Sequence, residues 1–175
     1  MPTPTFECSC CGKSLPGPPL SWHFEAPAIW YSIPTDEVPE RGQLGSEQCV
    51  IDYEHFFVRG LIEIPVIDGG GPFAWEVWVS LSESNFRRAT ELWNDSDRVN
   101  EPAYFGWLCN SIPVYPEMLH VKTMVHSRAG GVRPFIELEP TDHPLSIEQR
   151  NGITTQRVRE IAERMYHHLD SKGPE

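Results

Sequence analysis

Hydrophobic and polar residues alternate most clearly between Phe73 and Leu81. Trp75, Val77, Val79 and Leu81 make one wholly apolar face, and Ala74, Glu76, Trp78 and Ser80 make the other, which is the period-two pattern of a half-buried strand. Trp78 is out of place on the mixed face. Upstream, Cys49-Val50-Ile51 and then His55 to Val66 are rich in β-branched and aromatic residues, and Gly69-Gly70-Gly71-Pro72 supplies a turn, so these runs predict an antiparallel meander. Three later runs, Tyr104 to Ile112, Met118 to Ser127 and Arg133 to Glu139, predict strands that complete one sheet.

The period shifts to that of a helix in two places. After Leu81, Ser82 is suited to cap a helix, Glu83 suits its positive first turn, and Leu81 can staple against Phe86; Phe86, Ala89 and Trp93 mark the buried stripe. Near the C-terminus Thr154 is a cap, Ile153 can staple to Val158, and Val158, Ile161, Ala162, Met165 and Leu169 share one face that should pack on the sheet. Glu148 to Gly152 reads as a polar loop before this helix, with Gly152 needed for its backbone angles.

Residues 6–46 carry Pro16, Pro18, Pro19, Pro27, Pro34 and Pro39 and predict an irregular segment with room for one short helix, around Ala28 to Ser32. Residues 1–5 and 171–175 read as tails, and residues 47–170 hold the sheet and helices. The expectation is a single α+β domain over residues 6–170: a mainly antiparallel sheet with a mid-chain helix and a C-terminal amphipathic helix packed on it.

Composition narrows the classes of partner. A formal charge of −11 with no run of Lys and Arg argues against nucleic acid, whose binding rests on cations that displace counterions from phosphates. The same charge admits a basic protein partner or a cationic ligand. No apolar run approaches the length of a membrane span, and the first residues lack the pattern of a secretory signal, so a cytoplasmic location is expected. The five cysteines are odd in number and three crowd at Cys8, Cys10 and Cys11, which does not make a disulfide framework.

The sharpest chemical signal is Cys8-Ser9-Cys10-Cys11-Gly12. Within it Cys8 and Cys11 form a Cys-x-x-Cys-Gly knuckle, the turn that presents two thiolates to one tetrahedral zinc. Two ligands are half a site, and no second knuckle exists, so closure would fall to dispersed residues such as Cys49, His23 or His55. A redox role for the same pair needs something to lower a thiol pKa, and Lys13 is the one nearby cation. Unliganded cysteines in a turn are the plain alternative.

Other clusters are weaker. His120 and His126 would share a strand face but sit about 20 Å apart, too far for one metal ion. His126, Glu137, Asp142 and His143 are candidates for acid-base catalysis at a strand end and loop, against the alternative of solvated carboxylates and a turn-capping aspartate. Cys49, Asp52, Glu54 and His55 gather a thiol, two carboxylates and an imidazole, which a turn between strands explains more simply. Phosphate-loop, dinucleotide and Gly-x-Ser-x-Gly patterns are absent. Six tryptophans mostly supply core, and two or more found exposed would mark a binding surface.

The knuckle, Gln48-Cys49-Val50-Ile51-Asp52, Glu54-His55-Phe56-Phe57-Val58-Arg59-Gly60 and Val77-Trp78-Val79-Ser80-Leu81-Ser82 form a recognisable series. It continues through Tyr104-Phe105-Gly106-Trp107-Leu108 and Ile136-Glu137-Leu138-Glu139-Pro140-Thr141-Asp142-His143-Pro144-Leu145. Together these resemble the bacterial domain-of-unknown-function family numbered 2199 over nearly the whole chain. The resemblance implies a bacterial cytosolic protein and assigns no chemistry. Three readings follow: a non-enzymatic binding or regulatory module, of the kind an immunity protein represents; a metal-dependent or acid-base hydrolase using the His126, Glu137, Asp142 and His143 region; and a zinc-stabilised structural domain.

Overall fold

The computed structural model describes residues 4–172. Its first part comprises β1 (Thr5–Glu7), β2 (Ser14–Pro16), β3 (Ser21–His23), a 3-10 turn over Ala28–Ser32, the one-turn helix α1 (Val38–Arg41) and β4 (Gly42–Leu44). There follow β5 (Gln48–Ile51), β6 (His55–Ile64), β7 (Phe73–Leu81), α2 (Glu83–Glu91), β8 (Tyr104–Leu108), β9 (Lys122–His126) and β10 (Phe135–Leu138). Two helices, α3 (Pro144–Asn151) and α4 (Thr155–Lys172), complete the described residues. The class is α+β, as expected. No helix among the described residues is long and apolar enough to cross a membrane.

The sheet is not the simple, mainly antiparallel one expected, because part of it closes on itself. Strands β6, β7, β8, β9 and β10 close into a five-stranded barrel, antiparallel throughout except where β10 meets β6 in parallel, Phe135 opposite Leu61. That closing pair joins the first and last barrel strands, and no local pattern announces it. So small a barrel demands close approach. A Cβ on Gly60 would stand 2.5 Å from Ile136 Cδ1, and one on Gly106 would strike the Ser80 carbonyl. Alternation along the strands then divides inside from outside: Ile62, Trp75, Val77, Val79, Leu108, Val125 and Ile136 fill the interior, while Phe105, Trp107, Lys122, Met124 and Glu137 face outward.

The stretch expected to be irregular supplies four short strands and α1 besides the anticipated turn at Ala28–Ser32. Strands β4 and β3 extend the sheet beyond β5 and β7, and Phe24, Trp30, Ile33 and Val38 cover the outer face of β5, β6 and β7. This cover accounts for Trp78. Its ring is fully buried in a second core with Ile33, Cys49, Ile51, Phe57 and Cys109, and its indole N–H donates to the Phe24 carbonyl at 2.9 Å. Of the presumed N-terminal tail, residues 1–3 lie outside the described residues, whereas the Pro4 carbonyl accepts from Gly17 and Thr5 opens β1. At the other end α4 runs to Lys172, and residues 173–175 lie outside the described residues.

The caps behave as their sequences predict. Ser82 Oγ accepts from the Asn85 N–H at 3.2 Å, and Thr154 Oγ1 accepts from the Arg157 N–H at 3.1 Å. Val158, Ile161 and Met165 of α4 enter the main core, but Leu169, placed by spacing on the same stripe, is 51% exposed. The supposed loop Glu148 to Gly152 is the last turn of α3, closed by Gly152 at φ 79°. Gln149 explains why a polar helix is tolerated there: its amide accepts from Leu138 N–H at 2.9 Å and donates to the Ile136 carbonyl at 2.7 Å, completing the hydrogen bonding of β10.

Candidate metal centre

Strands β1 and β2 form a hairpin whose tip, residues 8–13, holds the three neighbouring cysteines. The tip folds back on itself: Cys8 N–H donates to the Lys13 carbonyl at 2.8 Å and Gly12 N–H to the Cys8 carbonyl at 3.0 Å. Gly12 sits at φ 71°, a conformation glycine takes without steric cost. The turn points the sulfurs toward α4, where His167 meets them. Cys8 Sγ lies 3.3 Å, Cys10 Sγ 3.2 Å and Cys11 Sγ 3.7 Å from His167 Nε2, and Cys8 Sγ lies 3.3 Å from Cys10 Sγ. All four ligand atoms fall within 4.8 Å of one another.

Helix α4 grips the hairpin at one-turn intervals. Arg159 stacks over the Phe6 ring at 4.8 Å and donates to the Glu7 carbonyl at 2.9 Å. One turn on, Glu163 accepts from Ser9 twice, from its N–H at 2.8 Å and its hydroxyl at 2.7 Å, and these bonds hold its carboxyl below the usual range. His167 is one turn further. Positions i, i+4 and i+8 of one helix face thus contact the residues just before, inside and around the knuckle. Thiol crowding also separates the sulfurs electrically. The hydrogen bond from His167 draws Cys8 down to about 6, while the neighbouring Cys8 sulfur pushes Cys10 up to about 11.

A zinc tetrahedron with Zn–S near 2.3 Å and Zn–N near 2.0 Å has edges of roughly 3.5 to 3.8 Å. Four of the six donor separations, from 3.2 to 3.7 Å, lie within about half an ångström of those edges, and all six are within 4.8 Å, so the donor set suits the ion in number and type. Four protein donors fill a tetrahedron and leave no position for a substrate.

The family described as "Uncharacterized protein conserved in bacteria (DUF2199)" matches residues 7–153. The chain belongs to this family. No curated protein and no solved structure matches it. In this DUF2199 chain the matched residues include all three knuckle cysteines, and His167 lies beyond them.

The other sequence candidates are placed elsewhere. Cys49 is fully buried in the second core, where burial pushes its thiol up to about 12; His23 is exposed and paired with Glu25 at 2.8 Å; His55 is exposed at the start of β6. None of the three joins the cysteine cluster, whose remaining members are Cys10 and His167. Cys10 stands in the sequence only as one of three crowded cysteines and not as a predicted ligand. His167 gave no signal, because a ligand more than a hundred and fifty residues away is specified only by how α4 docks. Of the four acid-base candidates, His126 Nε2 and Glu137 Oε2 pair at 2.7 Å on the exposed outer face of the barrel. Asp142 is exposed, and His143 caps α3, its Nδ1 accepting from Leu145 N–H at 3.2 Å. The four candidates thus comprise an exposed pair, a helix cap and an exposed carboxylate. Asp52 forms a salt bridge with Arg41 at 2.7 Å in the β5–β6 hairpin, so the Cys49 to His55 cluster is accounted for by a turn.

Proposed function

We propose that Cys8, Cys10, Cys11 and His167 bind one structural zinc ion that fastens the N-terminal hairpin to the C-terminal helix. The observation that carries this reading is the convergence of four soft or borderline donors from opposite ends of the chain within 4.8 Å. Zinc suits a Cys3His set, and a closed tetrahedron argues for a structural rather than a catalytic role. The residues do the rest: Glu163 fixes Ser9 between two of the ligands, and Arg159 orients the strand that leads into them. Elemental analysis of purified protein tests it. About one zinc per chain is expected in the wild type, with loss in Cys8→Ser and in His167→Ala; equal metal content in all three proteins would refute the site.

A second reading concerns a partner and rests on the barrel's outer face. Phe105 and Trp107 pack edge to face at 5.2 Å on β8 and are both exposed, with Met124 beside them and Glu137 and Glu139 along the next strand and its end. Exposed aromatic faces beside carboxylates suit Arg and Lys side chains, and the overall charge of −11 favours their approach. We propose that this face takes a basic segment of a partner protein. An arginine-rich test peptide should bind the wild type in a salt-sensitive manner and bind Trp107→Ala more weakly. Equal binding to both proteins would overturn this reading.

A further inference from the structure

The exposed rings of Phe105 and Trp107 on β8 have a hollow in the surface on either side of them. The one toward β7 measures about 430 Å³. Phe57 and Cys109 are its buried lining, and Ile29 and Leu119 are walls left 42% and 37% exposed. Strand register places it: Phe57 pairs with Ser80, which also lines it, and Ser80 pairs with Trp107, so the three share one face of the sheet. Neighbouring strands lie about 4.8 Å apart, which puts this hollow about 5 to 10 Å from Trp107.

Little in it asks for a polar occupant. Ser32 Oγ donates to the Ile29 carbonyl at 2.7 Å, the Cys109 thiol donates to the Trp107 carbonyl at 3.2 Å, and the Ser80 side chain bonds to the same thiol, whose pKa burial pushes up. An apolar occupant leaves these bonds in place and gains by removing apolar surface from water. The surface also runs on beyond one hollow. Ala28 lines a second of about 640 Å³ as well, and on the β9 side of Trp107 a third of about 320 Å³ is lined by Phe105, Met124, Glu137 and Glu139, with Lys122 as its one lysine. Several exposed apolar hollows in succession suit a stretch of polypeptide more than a compact small molecule. No Asp or Glu lines the 430 Å³ hollow, so charge divides the face: cations are drawn to the β9 side of Trp107 and apolar groups to the β7 side.

Resting on the reading of this face as a site for a basic segment, we propose that the segment carries an apolar anchor, Leu, Ile or Phe, two residues from a basic one. The anchor enters the hollow beside Ser80 while the cation lies over Phe105 and Trp107. In an extended chain, residues two apart point the same way and lie about 6.6 Å from each other, which matches the offset from Trp107.

Two arginine-rich peptides of equal charge test this, one with Leu two positions from an Arg and the other with Ala in its place. The Leu peptide should bind the wild type about tenfold more tightly, as partial burial of its extra carbons implies. Leu119→Asp should erase that gain while binding the Ala peptide at least as well as the wild type does. In spectra of methyl-labelled wild type, the Leu peptide should shift the Ile29 and Leu119 signals and the Ala peptide should not, a readout that needs no variant to fold. Equal affinity of the two peptides for the wild type, a gain that survives Leu119→Asp, or methyl signals unmoved by the Leu peptide would overturn the anchor and leave the basic-segment reading standing. Binding of neither peptide would remove both.

Discussion

Within the barrel, Ile62, Trp75, Val77, Val79 and Ile136 are completely buried and rely on one another, whereas the β1–β2 hairpin buries only Cys8 and Leu15. The hairpin reaches the rest of the molecule through polar grips from Arg159, Glu163 and His167. The two regions show two ways to hold a chain in place. One removes apolar surface from water and needs no bound ion to do so. The other has too little apolar surface for that and concentrates three thiols and an imidazole at a single point, which only a cation can turn into a strong tether.

The comparison can be broken by substitutions that strike one region and spare the other. Trp75→Ala should cost about 3 to 5 kcal/mol in chemical denaturation, with or without a chelator present, because it empties a well-packed interior. If the chelator changed that loss appreciably, the two regions would not be independent. Removing metal comes next. At free zinc a hundredfold above Kd, chelation should cost the wild type about 2.7 kcal/mol and leave Cys8→Ser unaffected. Hydrogen exchange should rise in residues 5–16 while β6 and β7 stay protected.

Smaller changes sharpen the same contrast. Glu163→Gln keeps the helix but replaces a charged acceptor of both Ser9 bonds, so stability should fall by about 1 kcal/mol and zinc affinity roughly tenfold, read by competition with a chromophoric chelator. Unchanged affinity would show that Glu163 does not position the ligands. Leu169→Gln should shift stability by less than about 0.5 kcal/mol, since the side chain is half exposed at the end of α4. A larger loss in a melting experiment would mean that this end of the helix is covered in solution.

What could be read from the sequence follows the same division. Strand β7 was legible to the residue because one face is wholly apolar, and α2 and α4 announced themselves through Ser82 and Thr154. Barrel closure was not legible, since the parallel contact of Phe135 with Leu61 depends on curvature and on space left by Gly60 rather than on any local period. The short strands before Gln48 were hidden by their prolines, and three residues carry too little pattern to show an alternation. Half of the candidate metal centre was visible in Cys8 and Cys11. His167 was not, because its role is set by the docking of α4 on the hairpin, and the long-range partners named from sequence, Cys49, His23 and His55, fold into other surroundings.

X-ray absorption at the zinc edge on the purified protein tests the central claim most directly, because it reads the ligands as well as the presence of the ion. The account predicts three sulfur scatterers at about 2.3 Å and one imidazole nitrogen at about 2.0 Å, with the nitrogen lost in His167→Ala. A shell dominated by oxygen, or one unchanged by that substitution, would contradict it.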